Sequence, residues 1–133
     1  MHLGVKEKSG TYYGIFHYHQ ALQRSDYIVG RLWDMLQADS FYEDSTYLIV
    51  STDHGRDNVP SPDQWWDHGV CREHGGGLCS GCQSVFALVV GPGVKARVVG
   101  KRYTHLDLAP TIAKILGVEL PTALGTPMDE VFH

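Results

Sequence analysis

The sequence lacks the long apolar runs, basic tracts and repeats that mark membrane, nucleic-acid-binding and repetitive proteins. Its longest apolar stretches, Tyr47 to Val50 and Val85 to Val90, fall far short of the roughly 20 residues that a membrane span needs. Its longest basic run is Lys101-Arg102, and its formal net charge is −4. Nucleic acid or an anionic membrane therefore has little to bind. These absences indicate a globular protein with neither partner.

Cysteine is also scarce. Three cysteines, Cys71, Cys79 and Cys82, lie close together, so they allow at most one disulfide and do not fix the compartment. Cys79 and Cys82 form either a disulfide or, with Cys71 and His74, a structural zinc site. A Cys-x-x-Cys pair without a matching second pair leaves both alternatives open, together with a non-catalytic zinc-binding module built on these four residues.

The composition is that of an ordinary soluble domain. The 133 residues are 43% apolar and 20% charged, and a chain of this length buries roughly two-thirds of its unfolded surface. We expect residues 1–133 to form part of a single domain. The start at Met1 has no signal-peptide pattern and no preceding strand, so we expect it to be a cut end.

The first half of the chain predicts a helix followed by a strand. Apolar residues recur every three or four positions from Thr11 to Leu36, as one buried helix face requires. They are Ile15, Tyr18, Leu22, Val29, Leu32 or Trp33, and Leu36. The run from Thr46 to Thr52 is rich in β-branched and apolar residues, which favours a strand covered on both faces.

The second half predicts a long loop, a strand and a helix. The segment from Arg56 to Gly81 has no usable period and is rich in Gly, Pro, Asp and His, which is typical of a functional loop. A strand is predicted from Ser84 to Val90. A helix follows through Pro110 to Leu116, with Asp107 as its cap and Gly117 past its end. The order of elements indicates an α/β layered domain with a mostly parallel sheet.

Asp53-His54-Gly55 comes directly after the first predicted strand, where ligands of α/β sheets bind. A carboxylate and an imidazole are good zinc ligands, and Gly55 permits a sharp turn that lets both face one ion. The alternative is that these residues simply begin a surface turn. His68 and His74, each followed by glycine in the loop, are further candidate ligands or solvated side chains.

Four blocks of the sequence resemble the alkaline phosphatase superfamily, in its sulfatase-like and type I phosphodiesterase-like branch. They span most of residues 20–132 and read ALQRSDYIVGRLWDML, TYLIVSTDHGRDN, HGGGLCSGCQSVFALVVGPGVK and HLDLAPTIAKILGVELP, the last trailed by LGTPMDEVF. The resemblance implies a mostly parallel sheet flanked by helices. It also implies two divalent ions, usually zinc, at the strand ends, with a Ser or Thr nucleophile between them.

The resemblance assigns metal-binding roles to four residues. Asp53 and His54 match the Asp-His pair of one ion, His74 matches a late histidine of the other, and His2 resembles an earlier histidine of that second ion. The nucleophile and the first metal carboxylate come from the family's N-terminal half. We therefore expect the nucleophile upstream of Met1 and an inactive chain when it stands alone.

The resemblance implies a metal-dependent hydrolase of phosphomonoesters or phosphodiesters. Sulfatases of the same superfamily typically bind one calcium through oxygen donors, so the nitrogen of His54 favours zinc and a phosphate ester. A sulfuric ester hydrolase remains the alternative. Many relatives are exported, and a bridge between Cys79 and Cys82 would suit a periplasmic or secreted location.

Overall fold

A computed structural model describes residues 12–56 and 80–132, with side chains from residue 18 onward. Its elements are α1 (Tyr12–Gln37), β1 (Leu48–Ser51), α2 (Ser80–Gln83), β2 (Ala87–Val90) and α3 (Leu108–Leu116). Short 3₁₀ turns cover His105–Asp107 and Asp129–Val131. The described residues divide into two compact units. One contains residues 12–46, 50–56 and 80–88, and the other contains residues 47–49 and 89–132.

Helix α1 confirms the predicted first helix to within one residue at each end. Its half-buried stripe includes Val29, Trp33 and Leu36. Leu32, the alternative to Trp33, is 38% exposed, and Leu22 is 50% exposed. The indole therefore takes the inward position. Among the described helices, none has the length and apolar character to span a membrane.

Strands β1 and β2 pair in a two-stranded antiparallel sheet. The hydroxyl of Tyr47, just before β1, donates to the carbonyl of Pro92, just after β2, at 2.7 Å. The hydroxyl of Ser51, at the end of β1, donates to the carbonyl of Phe86, just before β2, at 2.7 Å. These contacts fix opposite strand directions. The larger, mostly parallel layered sheet stays a prediction, because it needs strands beyond this pair.

The expectation that the first strand is covered on both faces is wrong for the described residues, and the second strand is exposed as well. Three residues of β1 are half-buried and Ser51 is exposed. In β2, Ala87 and Leu88 are both exposed, Leu88 by 43%. Each strand has one hydrogen-bonded neighbour among the described residues, so the sheet is too small to enclose its apolar side chains.

Helix α3 packs against the segment that follows it through a buried hydroxyl. The side chain of Thr111, fully buried, donates to the carbonyl of Asp107 at 2.6 Å and accepts the backbone N–H of Met128 at 2.9 Å. Ala113 and Met128 are also buried, 7% and 4% exposed. Gly117 ends α3 in the left-handed conformation with φ 66°, as the sequence predicts.

Asp107 does not cap α3 in the predicted way. Its carboxylate makes no hydrogen bond to the first turn of α3. Instead it accepts the backbone N–H of Thr104 at 2.7 Å and that of Thr126 at 2.8 Å. Because a 3₁₀ turn precedes α3, the helical segment already begins at Thr104. The carboxylate of Asp107 is then available to the backbone of Thr126.

Candidate metal site

The candidate site begins where β1 ends, at Asp53 and His54. Oδ1 of Asp53 accepts the backbone N–H of His54 at 3.0 Å. This hydrogen bond sets the orientation of the Asp53 carboxylate, whose other oxygen, Oδ2, lies 3.5 Å from Nε2 of His54. The two side chains therefore point toward each other rather than apart.

A backbone contact orients the imidazole of His54. Its Nδ1 lies 2.8 Å from the carbonyl oxygen of Gly55, and a carbonyl oxygen only accepts hydrogen bonds. Nδ1 must therefore carry the proton in this contact, and in the neutral ring Nε2 then holds the lone pair. Metal-binding histidines in proteins are oriented by this kind of N–H···O=C contact.

The separation of the two facing atoms fits a shared zinc ion. Zinc binds histidine nitrogen and carboxylate oxygen at about 2.0 to 2.2 Å with tetrahedral angles, which puts two such ligand atoms about 3.4 Å apart. Nε2 of His54 and Oδ2 of Asp53 are 3.5 Å apart. The donor set of one imidazole nitrogen and one carboxylate oxygen also suits this ion.

The pair is accessible to solvent. The side chain of Asp53 is 77% exposed and that of His54 is 38% exposed. A contact between side chains this exposed contributes only about 0 to 1 kcal/mol to stability, so the ordered arrangement of these side chains adds little to folding.

Two contacts hold the residues after the pair. The backbone N–H of Gly55 donates to the carbonyl of Cys82 in α2 at 2.9 Å. The guanidinium of Arg56 lies over the ring of Tyr18 in α1, 4.2 Å from its centroid. Sequence reasoning missed both contacts, since the partners lie far apart along the chain and no periodic pattern links them. Gly55 itself was the signal for a close approach.

Gly55 has a different role from the one that the sequence suggested. Positive φ angles occur among the described glycines at Gly91, Gly93 and Gly117, and Gly55 is not one of them. A Cβ at position 55 would instead collide with the backbone oxygens of Gly81 and Ser84. Space, rather than a left-handed turn, requires glycine here.

The other predicted ligands lie outside the described residues. They are His2, His68, His74, Cys71 and Cys79. Cys82, the partner of Cys79 in the predicted bridge or zinc site, is described and is 4% exposed. Within residues 12–56 and 80–132, no group of three or more His, Cys, Asp or Glu side chains is arranged to hold a metal ion. The third ligand of the pair and the second ion stay predictions.

Comparison of the sequence with known proteins finds similarity to two phosphopentomutases. The chain is 33% identical over 101 residues to a phosphopentomutase of Actinobacillus succinogenes, an alignment covering 76% of the chain and 21% of that protein. It is 33% identical over 98 residues to a phosphopentomutase of Edwardsiella ictaluri, covering 74% and 19%. The chain resembles phosphopentomutases.

The similarity covers most of the chain and only a part of each relative. The aligned region spans about a fifth of the length of these phosphopentomutases. No protein-family model and no solved structure matches the chain. Phosphopentomutases belong to the alkaline phosphatase superfamily, so the comparison supports the relationship to that superfamily and to enzymes of phosphoryl transfer.

Proposed function

We propose that this chain forms part of a metal-dependent phosphoryl-transfer enzyme that uses two divalent ions. Asp53 and His54 bind one of these ions, which is zinc. The observation that carries the proposal is the 3.5 Å separation of Nε2 of His54 from Oδ2 of Asp53. It is supported by the contact of Nδ1 with the Gly55 carbonyl, which leaves the lone pair on Nε2. The resemblance to phosphopentomutases is the reason for proposing a reaction on a phosphate group.

The first reaction we propose is hydrolysis of a phosphate monoester or diester. A bound divalent ion supplies positive charge that neutralises the phosphoryl oxygens and the leaving oxygen. Asp53 contributes the negative charge that retains the ion, and His54 contributes a neutral nitrogen whose direction is fixed by Gly55. The nitrogen donor favours zinc over calcium, and so a phosphate ester over the sulfate ester of the sulfatases.

The second reaction is a mutase reaction on a pentose phosphate. The similarity to two phosphopentomutases, at 33% identity each, favours it. Hydrolysis and this reaction both transfer a phosphoryl group and differ in the acceptor, which is water in one and a sugar hydroxyl in the other. The metal-binding role of Asp53 and His54 is the same in both.

Zinc binding by the 133-residue chain tests the metal site. We expect Asp53→Ala and His54→Ala each to weaken zinc affinity by at least about tenfold, measured by calorimetry. Asp34→Ala and His19→Ala serve as matched controls, because both residues are exposed on α1, and should leave the affinity unchanged. Undiminished affinity in both site variants would remove Asp53 and His54 from the proposal.

The same titration separates the enzyme from the rival zinc module. Cys71→Ser and Cys79→Ser should leave zinc affinity unchanged if Asp53 and His54 form the site. These two positions are preferable to Cys82, whose side chain is buried and whose replacement risks misfolding. If the cysteine variants lose zinc while the Asp53 and His54 variants retain it, the Cys-His module is the correct interpretation.

Anion binding tests the phosphate chemistry. The cobalt-loaded chain should bind inorganic phosphate more tightly than sulfate, detected as a change in the visible spectrum of the cobalt ion. Preference for sulfate would instead support the sulfatase alternative. A pentose phosphate that displaces inorganic phosphate better than nitrophenyl phosphate does would favour the mutase reaction over general hydrolysis.

A further inference from the structure

Gly55 lies against the short helix α2, and the approach is closer than any side chain at that position would allow. Its N–H donates to the carbonyl of Cys82 at 2.9 Å. A Cβ at residue 55 would meet the backbone oxygens of Gly81 and Ser84. The backbone carbonyls of Gly81, Cys82 and Ser84, in α2 and at its end, therefore surround one residue of the Asp53-His54-Gly55 turn.

The element that surrounds Gly55 is itself well anchored. The hydroxyl of Ser84 donates to the carbonyl of Ser80 at 2.6 Å, and the N–H of Ser84 donates to the carbonyl of Gly81 at 3.1 Å. The side chain of Cys82 is 4% exposed, which fixes the middle of α2 in a packed environment. Movement of Gly55 therefore requires displacement of hydrogen-bonded backbone.

We propose that α2 positions the imidazole of His54 for metal binding, acting through Gly55. The N–H of Gly55 is held by Cys82, and the carbonyl of the same residue accepts the Nδ1 proton of His54. The position of α2 thus sets the direction of the ring and of the Nε2 lone pair. This inference rests on the proposed metal site. It assigns a positioning role to Gly55 and Cys82, neither of which would bind the ion itself.

The variant Gly55→Ala tests this role in the 133-residue chain. The added Cβ must shift either Gly55 or α2, so the contact between Nδ1 of His54 and the carbonyl of residue 55 should weaken. We expect zinc affinity to fall by at least about tenfold, as for other residues that orient metal ligands. Gly100→Ala is the matched control, since a Cβ there meets nothing within 4 Å, and should bind zinc as the wild type does.

A spectroscopic readout separates positioning from folding. In long-range ¹H–¹⁵N spectra of the metal-free chain, the His54 ring should carry its proton on Nδ1 in the wild type and in Gly100→Ala. In Gly55→Ala it should shift toward the Nε2-protonated tautomer. An unchanged tautomer together with unchanged zinc affinity in a folded Gly55→Ala would overturn the proposal.

A milder variant covers the case in which Gly55→Ala does not fold. Ser84→Ala removes only the exposed hydrogen bond from Ser84 to Ser80, so it should loosen α2 and lower zinc affinity severalfold while the chain stays folded. Wild-type affinity and tautomer in Ser84→Ala would then count against the inference. If the wild type binds no zinc, or His54→Ala binds it equally well, the proposed function fails, and the tautomer measurement still decides the positioning role.

Discussion

The carboxylate of Asp107 accepts the backbone N–H of Thr126 at 2.8 Å, which joins the start of α3 to a segment 19 positions later in the chain. The same carboxylate accepts the N–H and the hydroxyl of Thr104, at 2.7 and 3.0 Å. One side chain therefore ties together three stretches of backbone in this unit. An acidic group with this many donors makes the stability of the unit depend on pH.

Acid should weaken this connection. The hydrogen bond from the Thr126 backbone, followed by that from Thr104, lowers the pKa of Asp107 below its ordinary value of 3.8. A lowered folded-state pKa contributes stability that is present above pH about 4 and is lost as the pH falls through the folded pKa. Asp107→Asn should therefore reduce stability at pH 7 and flatten its decline below pH about 4.

Urea denaturation at several pH values measures this effect. Glu119→Gln is the matched control, because Glu119 is an exposed acidic residue outside the Asp107 contacts, and it should follow the wild-type curve. Equal pH dependence in Asp107→Asn and the wild type would show that the carboxylate contributes nothing to the acid sensitivity.

Removing the hydroxyl of Thr111 should destabilise the chain more than the loss of so small a group would by itself. Thr111→Val keeps the shape but leaves the N–H of Met128, which now donates to that hydroxyl at 2.9 Å, without its acceptor. An unsatisfied buried donor costs about 1 to 3 kcal/mol. Thr111→Ser should lose less, and Thr122→Val, at an exposed position, should change the free energy of unfolding by under about 0.5 kcal/mol.

Replacing Gly117 by alanine should lower the stability of the chain. Its φ of 66° and ψ of 28° lie in the left-handed region, which costs a residue with a Cβ roughly 1 to 2 kcal/mol. Gly117→Asn should cost less, because asparagine tolerates this conformation better. Thermal unfolding of both variants, with Gly100→Ala as the control, measures the difference. Equal melting temperatures for Gly117→Ala and Gly117→Asn would contradict this account.

The stacking of the Arg56 guanidinium on the aromatic ring of Tyr18 should contribute to stability. Tyr18→Leu removes the contact, whose guanidinium lies 4.2 Å from the ring centroid, and should lower the free energy of unfolding by about 0.5 to 1 kcal/mol. Tyr18→Phe keeps an aromatic face and should lose less than Tyr18→Leu. If Tyr18→Phe were as destabilised as Tyr18→Leu, a contact of the hydroxyl would be the stronger one.

The sequence predicts those helices for which the apolar period and the residues at the ends indicate the same bounds. The apolar period placed α1, and the glycine stop placed the end of α3 at Gly117. The strands came out shorter than predicted, because apolar composition extends beyond the residues that form hydrogen-bonded pairs. Asp107 lies at the predicted N-cap position of α3, but its carboxylate bonds to Thr126 instead of the first turn, and no local pattern reveals a partner so far along the chain.

The sequence predicts the pair Asp53 and His54 of the candidate site, but not the backbone contacts that hold this pair in place. Asp53 and His54 follow a strand, a position with known chemical significance, and the structure directs their side chains toward each other. The support from Cys82 depends on a backbone carbonyl, which every residue has, so sequence offers no signal for it. The metal identity, the second ion and the layered fold remain predictions.

The hydrogen bond between Gly55 and Cys82 closes a ring around residues 56–81. The entropy of closing such a ring grows slowly, by about 0.6 kcal/mol for each doubling of its length. Evolution could therefore lengthen, shorten or exchange this insert at small thermodynamic cost, because both of its anchor points stay where they are.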